Sequence, residues 1–217
     1  LWVELVGLSP FIGDIELDRE LFWKLHPSAF SGVNEFGYRG KAIDFNSTKK
    51  GLRILTLGDS STYGIGIFMP SHTYSGRLEK FLNEGGIKCE VVNLGVSGYT
   101  LYQGLKLLEK SISELKPDVC VFYFGHNEGQ YSQTGLADSN RLLIKAPLEN
   151  SVLPRLFRTA RFYQFAKSEW GQIQPVSQRS VRVPLDEYKK LVEQVVELCQ
   201  RNGIVPIWIE YAEINPC

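Results

Sequence analysis

The stretch LTLGDSSTYGIG, residues 55–66, decides how this sequence is interpreted. Its apolar start ends abruptly in Gly58, Asp59 and two serines, and glycine then returns at positions 64 and 66. Such a stretch fits an ordinary turn, a nucleophilic serine at the carboxyl end of a buried strand, or a small-residue loop that cradles phosphate. The tripeptide Gly-Asp-Ser alone does not choose among these three, so the choice depends on the rest of the chain.

The composition is that of a folded domain. Of the 217 residues 43% are apolar, and 24 Lys and Arg balance 24 Asp and Glu. This is enough for one large α/β domain with a core, and balanced charge gives no overall attraction to nucleic acid. No run approaches the roughly 18–20 apolar residues of a membrane span. Because the sequence begins with an apolar stretch at Leu1 rather than with Met, we expect a trimmed N-terminus.

Four short apolar runs alternate with helical patterns. The predicted strands cover residues 53–57, 89–93, 119–124 and 204–209. The predicted helices run from Tyr74 to Gly85, from a capping-box pattern at Thr100 to Pro117, and from Pro184 to Gly203. Strands that alternate with helices, and that are apolar on both faces, indicate a parallel sheet covered on both sides. We therefore predict a three-layer α/β/α sandwich of the flavodoxin-like kind.

The four cysteines, at positions 89, 120, 199 and 217, show neither close pairing in sequence nor metal-ligand spacing. Cys89 and Cys120 fall in strand-like runs, and Cys199 lies on the apolar side of a helical pattern. We interpret them as buried, unpaired thiols that pack as small hydrophobes. Neither a disulfide framework, a metal nor a cofactor is expected.

Polar groups suited to acyl transfer follow the first three strands. Ser60 follows the first, Gly98 lies in a glycine-rich loop after the second, and Asn127 follows the third. In parallel sheets, functional sites gather at the carboxyl ends of the strands. Acyl transfer needs one nucleophile and fixed donors for the developing oxyanion, which a backbone N–H and an amide NH₂ can supply.

These three loops resemble the SGNH, or GDSL-type, serine hydrolase family. The likeness lies in the order and spacing of three blocks: GDSSTYG at 58–64, NLGVSG at 93–98 and GHNE at 125–128. The resemblance implies that Ser60 is the nucleophile of an ester-cleaving enzyme that forms an acyl-enzyme. It implies that the N–H groups of Ser60 and Gly98, with the Asn127 side chain, hold the oxyanion.

The remaining positions of these blocks are supporting candidates. Glu128 stands where the family usually has Asp, and it keeps the carboxylate. Asp59 is expected to brace the turn rather than to react. His126 is expected to contact substrate, with a smaller chance of serving as the base. A looser likeness extends to NEFGYRG at 34–40, which precedes the first block in some bacterial members.

The catalytic base is the main departure from the family. The family takes its Asp and His from an Asp-x-x-His stretch after the last strand, and this sequence contains none. His26 and His72 are interpreted as structural. We therefore expect a chain truncated before that block, lacking its catalytic His as given. The acids after the last strand, Glu210 and Glu213, are interpreted as solvated loop residues.

Two regions lie outside the alternating pattern. We predict an N-terminal arm at 1–52 that packs on a hydrolase domain at 53–217, with an insertion at 130–183. Within the insertion, residues 141–182 hold eight Lys or Arg and two Glu, a net charge of +6. An amphipathic helix is predicted at 153–170. The insertion is either a basic, aromatic cap that binds substrate or a surface, or an ordinary solvated excursion.

Two other functions stay open. A flavodoxin-like phosphate or flavin binder would use Ser60 to Thr62 as its cradle, but Gly98 and Asn127 would then have no role. A binding module on a hydrolase scaffold would have lost its base. The expected partner is a small-molecule ester such as a lipid or acylated sugar, with no nucleic acid. A membrane surface, reached through an upstream anchor or the insertion, stays open, as do oligomeric state and location, including the bacterial envelope or secretion.

Overall fold

The computed structural model describes residues 15–18, 20–44, 49, 51–132, 136–140 and 180–210. A short antiparallel hairpin comes first, formed by β1 (Ile15–Asp18) and β2 (Phe22–Leu25). The main sheet has four parallel strands: β3 (Leu52–Gly58), β4 (Cys89–Asn93), β5 (Val119–Tyr123) and β6 (Val205–Trp208). The described helices are α1 (Ser60–Tyr63), α2 (Tyr74–Glu84), α3 (Leu101–Leu115) and α4 (Leu185–Arg201), with a 3₁₀ turn at Pro70–His72.

The strand order is β4-β3-β5-β6, with every neighbouring pair parallel. The chain moves outward from β3 to β4, returns across β3 to β5, and continues to β6. Right-handed crossovers therefore place α2 on one face of the sheet and both α3 and α4 on the other. In agreement, α2 packs on β4, and α3 packs against α4. The predicted three-layer α/β fold is confirmed, and the order of the strands reverses between β3 and β5.

The four predicted strands are confirmed to within one residue at each end. The capping box is seen at α3, where the Thr100 N–H donates to Gln103 Oε1 at 3.2 Å. The helix stops are also as predicted, since α2 is capped by Gly85 and α4 by Asn202. These local signals succeeded because glycine and proline act on the backbone where they stand.

The main core lies between the sheet and the helices α3 and α4. The side chains that fill it are fully buried: Leu55 and Leu57 of β3, Cys120 and Phe122 of β5, Leu101 and Leu108 of α3, and Val195 and Cys199 of α4. On the other face of β3, Thr56 Oγ1 is hydrogen-bonded to Ser75 Oγ of α2 at 2.8 Å. Because side chains alternate along β3, its leucines face α3 and α4, whereas Thr56 faces α2.

The hairpin contacts the start of α3 and the loop before it. Leu21 and Phe22 belong to the same buried cluster as the sheet leucines. Gln103 Nε2 donates to the Leu21 carbonyl at 2.8 Å, and Tyr99 Oη donates to the carbonyl of Trp23. The N-terminal residues therefore support the loop that precedes α3.

Some expectations need correction or fall outside the described residues. Val205 and Ile207 of β6 are exposed, so this strand is not covered on both faces within the part that the structure describes. Cys89 is only half-buried, whereas the Cys120 and Cys199 thiols meet across the core. The predicted helix at 153–170, Glu213 and Cys217 lie outside the described residues. Among the described helices, none has the length and apolarity that a membrane crossing requires.

Candidate active site

The first site loop is a tight turn from β3 into α1. Asp59 caps α1, and its Oδ1 accepts the Ser61 N–H at 2.8 Å. Ser60, the first residue of α1, is half-buried at the carboxyl end of β3. A Cβ atom at Gly58 would lie 2.6 Å from the carbonyl oxygen of Tyr123, so only glycine lets β3 approach β5 this closely. The turn therefore holds Ser60 next to the end of β5.

The second site loop packs directly on α1. Asn93 Nδ2 donates to the Thr62 carbonyl at 2.8 Å, and Asn93 Oδ1 accepts the Gly95 N–H at 2.9 Å. A Cβ at Gly95 would lie 2.6 Å from the carbonyl carbon of Thr62. Further along the loop, Gly98 has a φ of +80°, in the left-handed region that favours glycine. The small residues of this loop thus allow it to lie against the serine turn.

The third site loop brings an amide to the same place. The Asn127 side chain is 5% exposed, and its Nδ2 donates to the Tyr99 carbonyl at 2.9 Å. The same nitrogen lies 3.4 Å from Asp59 Oδ2. Asn127 is thus bonded to the residue after Gly98 and to the residue before Ser60. The structure brings all three sequence-predicted loops together at the point where the strand order reverses.

Glu128 lies deeper than Asn127 and supports the start of α3. Its Oε1 accepts the Leu101 N–H at 2.8 Å, at the first turn of that helix. Its Oε2 is buried and has no hydrogen-bond partner among the described residues. Burial raises the pKa of Glu128 above its ordinary value, and the nearby N–H groups and Arg182 offset only part of this effect.

The three histidines are all described, and none is hydrogen-bonded to the Ser60 hydroxyl within the described part of the chain. His126 is exposed beside Asn127. His72 ends the 3₁₀ turn, and His26 Nδ1 lies 3.0 Å from the Pro27 carbonyl oxygen. None of the three histidines is therefore in position to act as the base for Ser60 in this structure.

Arg39 is a site residue that could not be recognised from the sequence. Arg39 is buried, and its Nη1 donates to the carbonyls of Tyr63 at 2.6 Å and Gly64 at 2.8 Å. Its guanidinium carbon lies 4.6 Å from the centre of the Tyr63 ring. Arg39 thus holds the end of α1, the helix that begins with Ser60. The signal in the sequence is the NEFGYRG stretch at 34–40, a loose likeness that does not assign a contact to Arg39.

Arg182 was also missed as a site residue. It was counted only in the basic charge of the insertion, yet it is 1% exposed and donates to the Gly98 carbonyl at 2.6 Å. Its second terminal nitrogen is paired with Asp138 Oδ2 at 2.8 Å. No spacing in the sequence connects position 182 with position 98.

At the level of class, this is a doubly wound α/β protein whose polar site lies where the strand order reverses. The model of the GDSL-like lipase/acylhydrolase family matches residues 56–211, and the chain belongs to that family. The resemblance seen in the three loops is thereby confirmed.

Similar solved structures are esterases. One is a catalytic mutant of an acetylxylan esterase from Geobacillus stearothermophilus, at 17% identity and TM-score 0.43, covering 74% of this chain and 60% of that one. Another is a psychrotrophic esterase from Pseudoalteromonas sp., at 14% identity and TM-score 0.41, covering 73% and 59%. A third, an SGNH-hydrolase family esterase, has 19% identity and TM-score 0.35, covering 74% and 77%. The chain spans about three fifths of the length of the first two. No curated protein matches the sequence.

Proposed function

We propose that the protein cleaves carboxylic esters, or transfers their acyl groups, with Ser60 as the nucleophile. The observation that carries this proposal is the position of Asn127 Nδ2, 2.9 Å from the Tyr99 carbonyl oxygen and 3.4 Å from Asp59 Oδ2. That position puts an amide donor beside the serine turn and beside the glycine loop. Family membership supports the same reaction class.

The second hydrogen of the Asn127 amide is held weakly enough to be given to an oxyanion. An NH₂ group has two hydrogens, and the bond to the Tyr99 carbonyl uses one of them. The contact with Asp59 is long, at 3.4 Å, and therefore weak. When a tetrahedral intermediate forms on Ser60, its oxyanion takes this second hydrogen together with the N–H groups of Ser60 and Gly98. Each such donor contributes ~3 kcal/mol of transition-state stabilisation.

Asp59 and Glu128 support the site without entering the covalent chemistry. Asp59 fixes the turn by accepting the Ser61 N–H, so the Ser60 side chain is presented from a short, braced helix. Glu128 anchors the third loop to the start of α3 through the Leu101 N–H. His126, exposed next to Asn127, contacts the bound substrate in this proposal.

Serine needs an adjacent base to be an effective nucleophile. The family resemblance implies a histidine base after the last strand, and residues 211–217 of this sequence hold no histidine. The assays use protein expressed from its natural reading frame.

The contacts of Asp59 disfavour a phosphate-binding alternative. A phosphate cradle needs N–H groups that point into open space at the start of the helix. Here the Asp59 carboxylate accepts the Ser61 N–H and adds negative charge at that point. The Thr62 hydroxyl is buried, 3.3 Å from Tyr74 Oη, rather than directed toward a ligand. A phosphate or the phosphate of a flavin would be repelled from this loop.

The test compares two neighbouring serines. Ser60→Ala should lower kcat/KM for p-nitrophenyl acetate by at least about a thousandfold. Ser61→Ala is the matched control, because its hydroxyl is next in sequence and exposed, and its N–H bond to Asp59 is kept. Equal activity of wild type and Ser60→Ala would overturn the proposal. An inactive wild-type protein would favour a binding module on a hydrolase scaffold.

A further inference from the structure

Arg182 is a buried cation that reaches the glycine loop from a distant part of the chain. It lies three residues before α4, and its Nη1 donates to the carbonyl of Gly98, 84 positions earlier in the sequence. Its Nη2 donates to Gln103 Oε1 at 2.9 Å and to Asp138 Oδ2 at 2.8 Å. Nε completes the contact with Asp138 at 3.4 Å. The guanidinium therefore joins the glycine loop, the start of α3 and the short segment that contains Asp138.

The Gly98 carbonyl belongs to a peptide unit that is held on both sides. Its oxygen accepts from Arg182 at 2.6 Å, and the N–H of the same unit, from Tyr99, donates to the Val96 carbonyl at 3.1 Å. The next carbonyl, that of Tyr99, accepts from Asn127 Nδ2. Because a peptide unit is planar, holding both of its ends fixes the torsion between it and Gly98. The N–H of Gly98 belongs to the preceding peptide unit, whose carbonyl, that of Ser97, accepts from Trp23 Nε1 at 3.1 Å. Because Gly98 has no Cβ to restrict its torsions, the bonds of Arg182 and Trp23 to its two flanking peptide units together set the direction of this N–H.

The backbone beside Arg182 also contacts the third site loop. The Arg182 N–H donates to the Gln130 carbonyl at 2.8 Å, and the Val183 N–H donates to the Glu128 carbonyl at 3.1 Å. One short segment, residues 182–183, therefore touches both loops that supply the proposed oxyanion donors, Gly98 and Asn127.

Arg182 and Asp138 form an ion pair that is fully buried, and both side chains are hydrogen-bonded to further groups. Asp138 is 0% exposed, accepts from the Thr100 hydroxyl at 2.9 Å, and donates its own N–H to the Arg182 carbonyl at 2.8 Å. Burying such a pair costs desolvation that its attraction roughly offsets, so the pair is a weak source of net stability. Its effect is on position, since a planar guanidinium bound at four points fixes what it touches.

We propose that Arg182 is a positioning residue that, together with the Trp23 bond to the Ser97 carbonyl, fixes the Gly98 N–H in the direction needed by the oxyanion. The proposal rests on the proposed function and adds a residue to it. Arg182 does not touch the substrate in this account, and it acts through the Gly98 carbonyl. Loosening it should therefore weaken binding of the transition state more than binding of the ester.

The test uses Arg182→Lys, with Arg53→Lys as the matched control. Arg53 is a second buried arginine that is paired with a carboxylate, Glu90, and donates to a backbone carbonyl, Leu115. It lies at the opposite end of β3 from Ser60. We expect Arg182→Lys to lower kcat about 10- to 100-fold with KM within about twofold, and Arg53→Lys to leave both unchanged. A kcat for Arg182→Lys equal to that of Arg53→Lys would overturn the inference.

A double-mutant cycle separates positioning from a general loss of structure. If Arg182 acts through the Gly98 N–H, its effect on kcat should be smaller in a Gly98→Ala background, where that N–H is already displaced, than alone. Strictly multiplicative effects would contradict the inference. If Arg182→Lys fails to fold, Asp138→Asn is used, because it keeps the oxygen that accepts from Thr100 and loosens the guanidinium. It should then show the same selective fall in kcat, and an unchanged kcat would overturn the inference.

Failure of this inference differs from failure of the proposed function. If Ser60→Ala is inactive while Arg182→Lys and Asp138→Asn keep full kcat, only the positioning role is wrong. If Ser60→Ala is as active as wild type, the proposed function itself is wrong.

Discussion

Asp59 Oδ2 and Asn127 Nδ2 lie 3.4 Å apart, although 68 positions separate the two residues in sequence. One follows β3 and the other follows β5, the two strands between which the strand order reverses. Their contact joins the third site loop to the loop that carries Ser60, and the bond from Asn127 to the Tyr99 carbonyl joins it to the loop that carries Gly98. The arrangement is a consequence of topology, because neighbouring parallel strands end at one edge.

The Asn127 amide should matter in the transition state rather than for binding. Asn127→Ala should lower kcat about 100- to 1,000-fold and change KM little, because one oxyanion donor is lost. Steady-state kinetics with p-nitrophenyl acetate measures both constants. Asn83→Ala, which removes an exposed amide from the end of α2, is the control and should keep wild-type kinetics. A large rise in KM with an unchanged kcat would argue for a substrate-binding role instead.

Gly98 should be required both for its conformation and for its N–H. Gly98→Ala forces a side chain into a φ of +80°, which costs about 1–2 kcal/mol and turns the N–H away from the site. Gly86, with a φ of +85° at the end of α2, is a matched control. Both alanine variants should lose similar stability in urea unfolding, and only Gly98→Ala should lose kcat. Equal kinetics in the two variants would contradict an oxyanion role for this loop.

Arg39 should stabilise the fold through the loop that follows α1. Arg39→Lys leaves buried carbonyls of the 63–68 segment without donors, and each such loss costs about 1–3 kcal/mol. We expect the free energy of unfolding to fall by about 2–3 kcal/mol. Arg77→Lys, on the exposed side of α2, should stay within about 0.5 kcal/mol of wild type. A similarly small change for Arg39→Lys would show that the bonds of Arg39 to these carbonyls contribute little to stability.

Glu128 should make stability depend on pH in a defined direction. Burial raises its pKa in the folded protein above the ordinary value of 4.5, so the folded state binds this proton more tightly than the unfolded chain does. The stabilisation is complete below pH 4.5 and is lost as the pH rises through the folded-state pKa. Glu128→Gln stays neutral throughout and escapes this loss.

The stability of wild type relative to Glu128→Gln should therefore fall as the pH rises from the acid side to neutral. Urea unfolding at a series of pH values measures the difference. Glu114→Gln, an exposed carboxylate of α3, corrects for the change in net charge. A difference that grows in favour of wild type with rising pH would mean that the ionised carboxylate is the favoured form in the fold.

Local signals allowed the strands, helix ends and three site loops to be predicted from the sequence. Gly58, Gly85 and Pro117 act on the backbone where they stand, and the family blocks are contiguous. The contacts of Arg39 and Arg182 could not be predicted, because buried arginine is rare and each joins segments without any shared period. The exposure of Val205 and Ile207 could not be predicted because an apolar run does not reveal whether both faces of its strand are covered by helices.

The most direct test of the central claim is covalent labelling of the nucleophile. Protein expressed from its complete reading frame is treated with an aryl alkylphosphonate, which forms a stable tetrahedral adduct on an activated serine, and the labelled peptide is identified by mass spectrometry. The account predicts a single adduct on Ser60, formed more slowly in Asn127→Ala and absent in Ser60→Ala, while Ser61→Ala labels as wild type does. An adduct on another residue, or none in a protein that hydrolyses the ester, would contradict it.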